Sequence, residues 1–408
     1  MELINTVFSQ GHGPYVRTAE LALLTARELE AHGRTAPQII VPLVYGDRQI
    51  QILKEQFAAE LLENPDCILL DEAAGKIIYE AFFKSGQFND HLRFLLKSQQ
   101  GLEEKLQTHL SGDLELKTLN GEEVKAKGSD IILTIARDAS LHAGTNTINS
   151  TCGFLSEIYA RTIATHDVGL AQSFDFETLE RAVQLHTTLE QKHMLDLLNE
   201  PFAFSFDAER RPWRNEIFTP PMTSVPLPDT EQIPEGMYVS VTGIEGVANF
   251  VLDAAKQFNL KLYCPPKIKA LLGADNTRIP EFISNPNIKY VLSRGGWGAG
   301  WLALLAGKPW IVTPYANGDD LEMYFVEKTI NSLGLGIVFD ARRTVQKLLH
   351  EADAMRPNIK NINALLQKTY GTRDGISYMS RIIADQLLGR SLNSYRRRGP
   401  ALQGYRKQ

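Results

Sequence analysis

One local grammar is written on both sides of this chain's midpoint, and it constrains the fold more than any other feature. A short apolar run leads into a glycine-bearing turn, and the turn leads into an amphipathic stretch. LINTVF (3–8) reads as a buried strand, SQGHGPYV (9–16) as the turn, and Thr18 to His32 as a helix. In that helix Leu21, Leu24, Ala26 and Leu29 recur at near-helical spacing, and Gly33 supplies the stop. PQIIVPLVYG (37–46) predicts a second strand, Asp47 to Glu63 a second helix, DCILL (66–70) a third strand and DIILTIA (130–136) a fourth. After Pro234 the pattern restarts: GMYVSVTG (236–243), the helix EGVANFVLDAAKQF (245–258), then KLYCP, IKYVLS and PWIVTP as further strands. Strand, turn, helix, strand is the order of a parallel sheet in an α/β protein.

The chain's 408 residues exceed the roughly 250–300 that one hydrophobic core supports, so two domains are expected. The division falls in RPWRNEIFTPPMTSVPLPDTEQIP, Arg211 to Pro234, which holds six of the 19 prolines. Proline lacks an N–H and fixes φ, so this stretch reads as an extended linker. The expected organisation is an N-terminal domain over 1–210, a linker over 211–235 and a C-terminal domain over 236–375. A helix over 376–388 crosses back to the first domain, and 389–408 forms a flexible basic tail.

Charge and composition exclude several functions. Mean hydropathy is −0.19 and no apolar run nears the ~18–20 residues of a spanning helix. The tail from Gly389 carries six Lys/Arg and no acid, so of the net −5 the rest of the chain carries about −11. A body that acidic is a poor nucleic-acid binder, because phosphate binding needs clustered cations. The tail alone suits an anionic membrane surface. Cys67, Cys152 and Cys264 are few and far apart, with no CxxC pair and no zinc spacing. Together with an N-terminus lacking a secretory leader, this predicts a cytoplasmic protein, at most peripheral at a membrane's inner face.

The stretch richest in chemistry is Ile288 to Asp340. A strand ends at Ser293, and Arg294-Gly295-Gly296-Trp297-Gly298-Ala299-Gly300 turns into a helix. Free N–H groups and the positive end of the helix dipole favour an anion there. The glycines allow close backbone approach, and Arg294 adds a fixed positive charge. Beyond the turn Gly307-Lys308-Pro309, a strand ends at Pro314, and a loop follows with Asp319, Asp320 and Glu322, acceptors suited to sugar hydroxyls.

This segment resembles the nucleotide-sugar signature of the GT-B glycosyltransferases. It is most similar to the inverting group of UDP-glycosyltransferases, macrolide glycosyltransferases and the lipid II–forming N-acetylglucosaminyltransferase. Gly295-Gly296-Trp297-Gly298 matches the group's turn, and Ala303-Leu304-Leu305-Ala306-Gly307-Lys308-Pro309 matches its helix and exit. Asp319-Asp320 falls where its Asp-Gln pair sits, and Asp319 precedes Gly334 by the group's 15 positions. Ser9-Gln10-Gly11-His12-Gly13 with the following helix is similar to the group's opening Gly-His turn.

The resemblance implies two Rossmann-like domains flanking a cleft. It implies a UDP-, dTDP- or GDP-linked sugar as co-substrate, a small-molecule or lipid acceptor, and transfer with inversion and without a metal. It makes His12 the base that takes the acceptor proton, a task an imidazole titrating near pH ~6.5 suits. Gly11, Gly13, Ser240, Thr242, Gly243, Arg294, Gly295, Gly296, Trp297, Gly298, Ala299, Asp319, Asp320 and Glu322 are the donor-side candidates. Asp138 is the candidate carboxylate for orienting His12, with Asp71 as the alternative. His142 and Gly144-Thr145-Asn146-Thr147 resemble an active-site loop in composition. Trp213, Trp301 and Trp310 read as packing residues, and Trp297 is the tryptophan to test for sugar stacking.

Two positions depart from the group. Leu302 stands where a glutamate meets the ribose, and Arg294 where many members have histidine. Leucine accepts no hydrogen bond, which leaves open a GT-B-like binding or regulatory protein without transferase activity. A nucleotide-sugar epimerase is a further alternative. Against it, the Glu-Glu pair of that family is absent beside Trp297-Gly298-Ala299.

Overall fold

The computed structural model describes all residues except 10, 84–87, 138–140, 143, 145, 165–174, 202–214, 227–228, 242–245, 266–267, 269–275, 317–318, 403–404 and 406–408. The chain divides into two compact units. One comprises Met1–Phe202, Glu209–Thr219 and Ile376–Gly399, and the other is built on Pro220–Gly375 with Pro400–Gln408.

The first unit holds a sheet in the order β5-β4-β3-β2-β1-β6-β7-β8-β9. Its strands are β1 (Leu3–Phe8), β2 (Gln38–Pro42), β3 (Ile68–Asp71), β4 (Asp113–Thr118), β5 (Glu123–Lys127), β6 (Ile131–Arg137), β7 (Thr147–Thr151), β8 (Leu195–Asn199) and β9 (Glu216–Thr219). β1, in the middle, is buried along its whole length and pairs in parallel with β2 and β6. A strand covered on both faces needs a continuous apolar run, and LINTVF comes close to one. Its two polar members bond within the sheet: Thr6 Oγ1 donates to the Ile40 carbonyl at 2.8 Å and Asn5 Nδ2 to Thr134 Oγ1 at 3.3 Å, while Asn5 Oδ1 has no partner among the described residues.

Four expectations are corrected here. The first helix runs His12–Ala31, beginning six residues before Thr18, because Pro14 in its first turn needs no N–H partner. The second breaks at Phe57 into Asp47–Gln56 and Ala58–Glu63. Beyond β3, the stretch read as helical and polar ends in an antiparallel hairpin, β4 with β5, whose β4 strand also runs antiparallel to β3. The proline-rich stretch read as a linker contains β9, where the proline-free EIFT pairs in parallel with β8.

A helix stands where one was expected over 376–388, and the residues beyond it differ from the expected flexible tail. The helix Gly375–Leu387 presents Ile376, Met379, Ile382 and Ile383, all fully buried. Met379 Sδ receives Asn199 Nδ2 at 3.3 Å and Ser150 Oγ at 3.7 Å, which ties this helix to β7 and β8. Leu392 is buried and a short helix spans Asn393–Arg396. Tyr395 donates to Asp385 at 2.9 Å and Arg398 to the Tyr378 hydroxyl at 3.1 Å. These hydroxyl and carboxylate partners give two of the stretch's aromatic and basic side chains somewhere to dock.

The second unit carries the parallel order β12-β11-β10-β13-β14-β15. Its strands are β10 (Gly236–Val239), β11 (Lys261–Cys264), β12 (Asn276–Thr277), β13 (Ile288–Ser293), β14 (Trp310–Val312) and β15 (Gly336–Val338). No described helix is long and apolar enough to cross a membrane. Cys67, Cys152 and Cys264 are free and buried.

A buried polar contact holds the end of β3. Asp71, with no exposure, accepts the Ala74 N–H at 2.9 Å and meets His109 Nε2 at 2.7 Å. The hydrogen bond to Asp71 raises the His109 pKa, and burial opposes it. A base whose folded pKa lies above its unfolded value stabilises most below the unfolded pKa, near 6.5. That contribution fades as pH rises through the folded value. Asp71→Ala strands both donors and should cost about 3 kcal/mol in denaturant unfolding, with this pH slope removed. A loss within about 0.5 kcal/mol would show that the contact adds nothing.

Candidate functional site

In an open parallel sheet, ligands gather outside the carboxyl ends of strands where the strand order reverses. Each unit has one such point. In the second unit it lies between β10 and β13, and the segments leaving those strands start at Ser240 and Arg294. Ser240 is half-buried and its N–H donates to the Leu292 carbonyl at 2.9 Å, which fixes it beside β13. Thr242 and Gly243 lie outside the described residues.

After β13 the chain makes a tight turn, with the Gly296 N–H on the Arg294 carbonyl at 2.8 Å, and enters the helix Trp297–Leu305. Gly296 is its N-cap and supplies no side-chain cap, and the first turn carries no acid. The leading amides therefore keep their donors, and the dipole's positive end is not offset within the helix. The glycines divide by task. A Cβ on Gly296 or Gly298 would meet nothing within 4 Å, so these two border open space. A Cβ on Gly295 would touch Met323 Sδ at 3.4 Å, and one on Gly300 would lie 2.4 Å from the Trp310 ring. Those two are small because side chains press on them.

Trp297 is 4% exposed, stacked 6.3 Å from Trp301 and tilted 6.1 Å from Trp310. That corrects the reading of it as a sugar-stacking surface, since its ring packs inside. What it offers is its backbone N–H. Trp310, in turn, donates Nε1 to Ser293 Oγ at 2.7 Å, which locks the end of β13 to β14. Leu302 is 2% exposed and fully engaged in packing. Lys308, in the following turn, donates to the carbonyls of Asn285 and Pro286 at 3.1 and 3.3 Å. Burial, with Lys289 and Arg356 nearby, pulls its pKa down to about 8.

Arg294 and Asp319, assigned separately from sequence, meet. Arg294 Nη2 donates to Asp319 Oδ1 at 2.8 Å. Asp320 serves as N-cap of the helix Leu321–Leu333, accepting the Glu322 N–H at 3.0 Å, and Glu322 lies in that helix's first turn. Tyr315 is held by its N–H on Glu327 Oε2 at 3.0 Å. Burial, with Asp319 and Asp320 adding, pushes its phenol up to about 12, so it stays a proton donor at neutral pH. Among the described residues its hydroxyl has no hydrogen-bond partner.

A cavity of about 390 Å³ opens beside this loop, lined by Pro314, Val338, Phe339, Asp340 and Ala341 with Arg342 and Arg343. Arg342 clasps Asp340 at 2.9 Å through two bonds, which holds the Asp340 carboxyl down to about 2. Of these, sequence reading singled out Pro314 and missed the rest. The available signal was a charged cluster directly after the last strand.

In the first unit the order reverses between β1 and β6. The Ser9 N–H donates to the Arg137 carbonyl at 3.2 Å, so the ends of the two strands lie side by side. Gly11, at φ +104, adopts a backbone that other residues avoid, and its N–H donates to the Tyr45 hydroxyl at 2.8 Å. His12 follows as the first residue of the helix, and its side chain lies outside the described residues, as does Asp138. Gly13 is exposed, with open space where a Cβ would stand. Asp71, the alternative orienting carboxylate, is committed to His109. His142 is buried and accepts the Gly144 N–H at 3.3 Å, and burial with His193 pulls its pKa down to about 4. Arg137, which no motif signals, is buried and donates to Asn199 Oδ1 at 2.7 Å and the Ser150 carbonyl at 3.3 Å, bracing β6, β7 and β8.

No protein-family description matches the sequence, and no curated protein matches it. Solved structures do match. TcCGT1 in complex with UDP is 12% identical, with a TM-score of 0.60 over 95% of this chain and 99% of that one. A UDP-glucosyltransferase from Polygonum tinctorium capable of glucosylating indoxyl, in complex with 3,4-dichloroaniline, is 11% identical at 0.57, over 95% and 98%. UGT2 of Phytolacca americana, complexed with UDP-2fluoro-glucose and pterostilbene, is 10% identical at 0.53, over 95% and 100%. The fold is that of the GT-B glycosyltransferases. In a GT-B chain each Rossmann-like unit contributes one strand-reversal point. The two named here carry Gly11 to Gly13 in one unit and Ser240 with Arg294 to Ala299 in the other.

Proposed function

We propose that this chain transfers a sugar from a nucleotide-sugar donor to a hydroxyl acceptor, with inversion and without a metal. The observation that carries the reading is the turn Arg294 to Gly298. It joins an uncapped helix start, two glycines bordering open space and a guanidinium, at the strand-reversal point of a GT-B unit. The donor's diphosphate would lie against the amides of Trp297, Gly298 and Ala299. Asp320 and Glu322 form the acceptor cluster for sugar hydroxyls. In the reaction the acceptor oxygen bonds to the anomeric carbon as the bond to the diphosphate breaks, and His12 takes the acceptor proton. The departing charge is met by the helix amides and Arg294, donors that are in place beforehand and need no reorganisation. Asp138 is the proposed orienting carboxylate for His12, and Ser240, Thr242 and Gly243 border the diphosphate. The bound UDP and UDP-sugar of the similar structures support this class of donor, and their small aromatic ligands a small-molecule acceptor. A cytoplasmic setting, with weak anionic contact through the basic C-terminal residues, belongs to the same proposal.

Leu302 favours a second reading, a GT-B protein that binds a nucleotide sugar and transfers nothing, because no carboxylate stands there for the ribose. Titration with UDP, dTDP and GDP addresses both. One of them should raise the melting temperature, by an amount equivalent to about 2.7 kcal/mol at a hundredfold excess over Kd. No stabilisation at millimolar concentration by any of the three would overturn the donor assignment. Binding without donor turnover would establish the second reading.

A further inference from the structure

We infer that Asp319 is a positioning residue, acting on the donor's phosphates through Arg294 and not on the sugar directly. This rests on the nucleotide-sugar reading of the site.

The guanidinium of Arg294 sits on a long, flexible stem whose side chain is 57% exposed. Left alone, such a side chain samples many rotamers and must be ordered anew by each ligand. Among the described residues, Asp319 is the acid that pairs with it. Asp319 is itself held twice. Its Oδ2 accepts the Ala316 N–H at 3.1 Å, and its own N–H donates to the Ala316 carbonyl at 3.0 Å, so the carboxylate is pinned to Ala316. Its side chain is only 19% exposed. A fixed acid thus anchors one corner of a mobile cation. The bond uses one N–H of Nη2, and the remaining N–H groups of the fork have no hydrogen-bond partner among the described residues. Arg294 also lies two residues before the N-cap Gly296, so those donors belong to the same turn as the free helix amides.

An exposed ion pair adds little to fold stability, so stability does not account for this one. Preorganisation does: the fork is ordered before the anion arrives. The charge argument runs the other way. Removing a carboxylate from beside an anion site should by itself tighten anion binding. The sign of the effect therefore separates positioning from simple repulsion.

The probe is whichever of UDP, dTDP and GDP stabilises the wild type, measured by calorimetry beside its nucleoside. Asp319→Ala should weaken the diphosphate about five- to tenfold and leave the nucleoside unchanged. Asp319→Asn, which keeps an acceptor for the guanidinium, should recover part of the loss. In an Arg294→Ala background, Asp319→Ala should have no further effect, whereas a residue that only shapes the loop would still weaken binding there. Equal or tighter diphosphate binding by Asp319→Ala would overturn the inference. So would a loss confined to the sugar nucleotide, or a full second loss in the Arg294→Ala background. If the wild type binds none of the three diphosphates, the donor reading itself fails and this inference falls with it.

Discussion

Gly300→Ala is expected to lower stability by about 1–3 kcal/mol and to weaken nucleoside diphosphate binding by about 10²-fold. The added Cβ would stand 2.4–2.9 Å from three carbons of the Trp310 ring. That ring cannot yield cheaply. It is 2% exposed, lies in β14, and its Nε1 is bonded to Ser293 Oγ at the end of β13. The helix Trp297–Leu305 must then move, and its leading amides move with it. Gly298→Ala is the matched control for stability, since a Cβ there meets nothing within 4 Å. Its melting temperature should match the wild type, while its affinity reports on the space above the turn. Wild-type affinity and stability in Gly300→Ala would show that the Trp310 contact does not set the turn.

His12→Ala should reduce donor turnover by about 10²–10⁴-fold while leaving nucleotide affinity within twofold. The backbone places His12 at the first helical position after β1, and Ser9 at the end of that strand is bonded to Arg137 at the end of β6. The nucleotide is assigned to the other unit, so affinity is an internal check on folding. Donor hydrolysis by wild type and variant gives the rate without knowledge of the acceptor. Equal turnover would remove His12 from the chemistry. Together the two substitutions separate binding from proton transfer, since each is expected to move a different quantity.

The strands were readable because parallel strands covered on both faces must be apolar runs, and LINTVF, IKYVLS and PWIVTP are such runs. The helix from His12 was not, because Gly11-His12-Gly13-Pro14 has the composition of a turn, and only Pro14's tolerance of the first helical turn reveals otherwise. β4 carries a plain two-residue alternation, Leu114 and Leu116 inward with Asp113 and Glu115 outward, but it follows a long helix and was absorbed into it. At the site, the glycine turn was legible because a phosphate-sized approach needs small residues close together in sequence. Side-chain partners were not. Arg294 and Asp319 are 25 residues apart, Asp71 and His109 are 38, and Arg137 and Asn199 are 62. Each of these polar groups had several candidate partners in composition, and tertiary packing chose among them. The burial of Trp297 belongs to the same class, since its ring was placed by Trp301 and Trp310.

The return of Ile376–Gly399 to the first unit has a consequence for how the protein is made. At Thr219 the ribosome has delivered nine strands of that unit, yet Met379 and its neighbours lie about 160 residues further on. At roughly 5–20 residues per second, that leaves the seat of this helix uncovered for about 8–30 s. During that time Ser150 and Asn199 lack their Met379 contacts, and the apolar surface around them is open to wrong partners. The second unit waits too, because Leu402, fully buried, follows only after Ile376–Gly399 has been made. Neither half can therefore be released early as a finished body. A nascent chain paused shortly after Thr219 should recruit a chaperone at this seat, and a truncation there should yield an aggregating fragment in place of an independent domain.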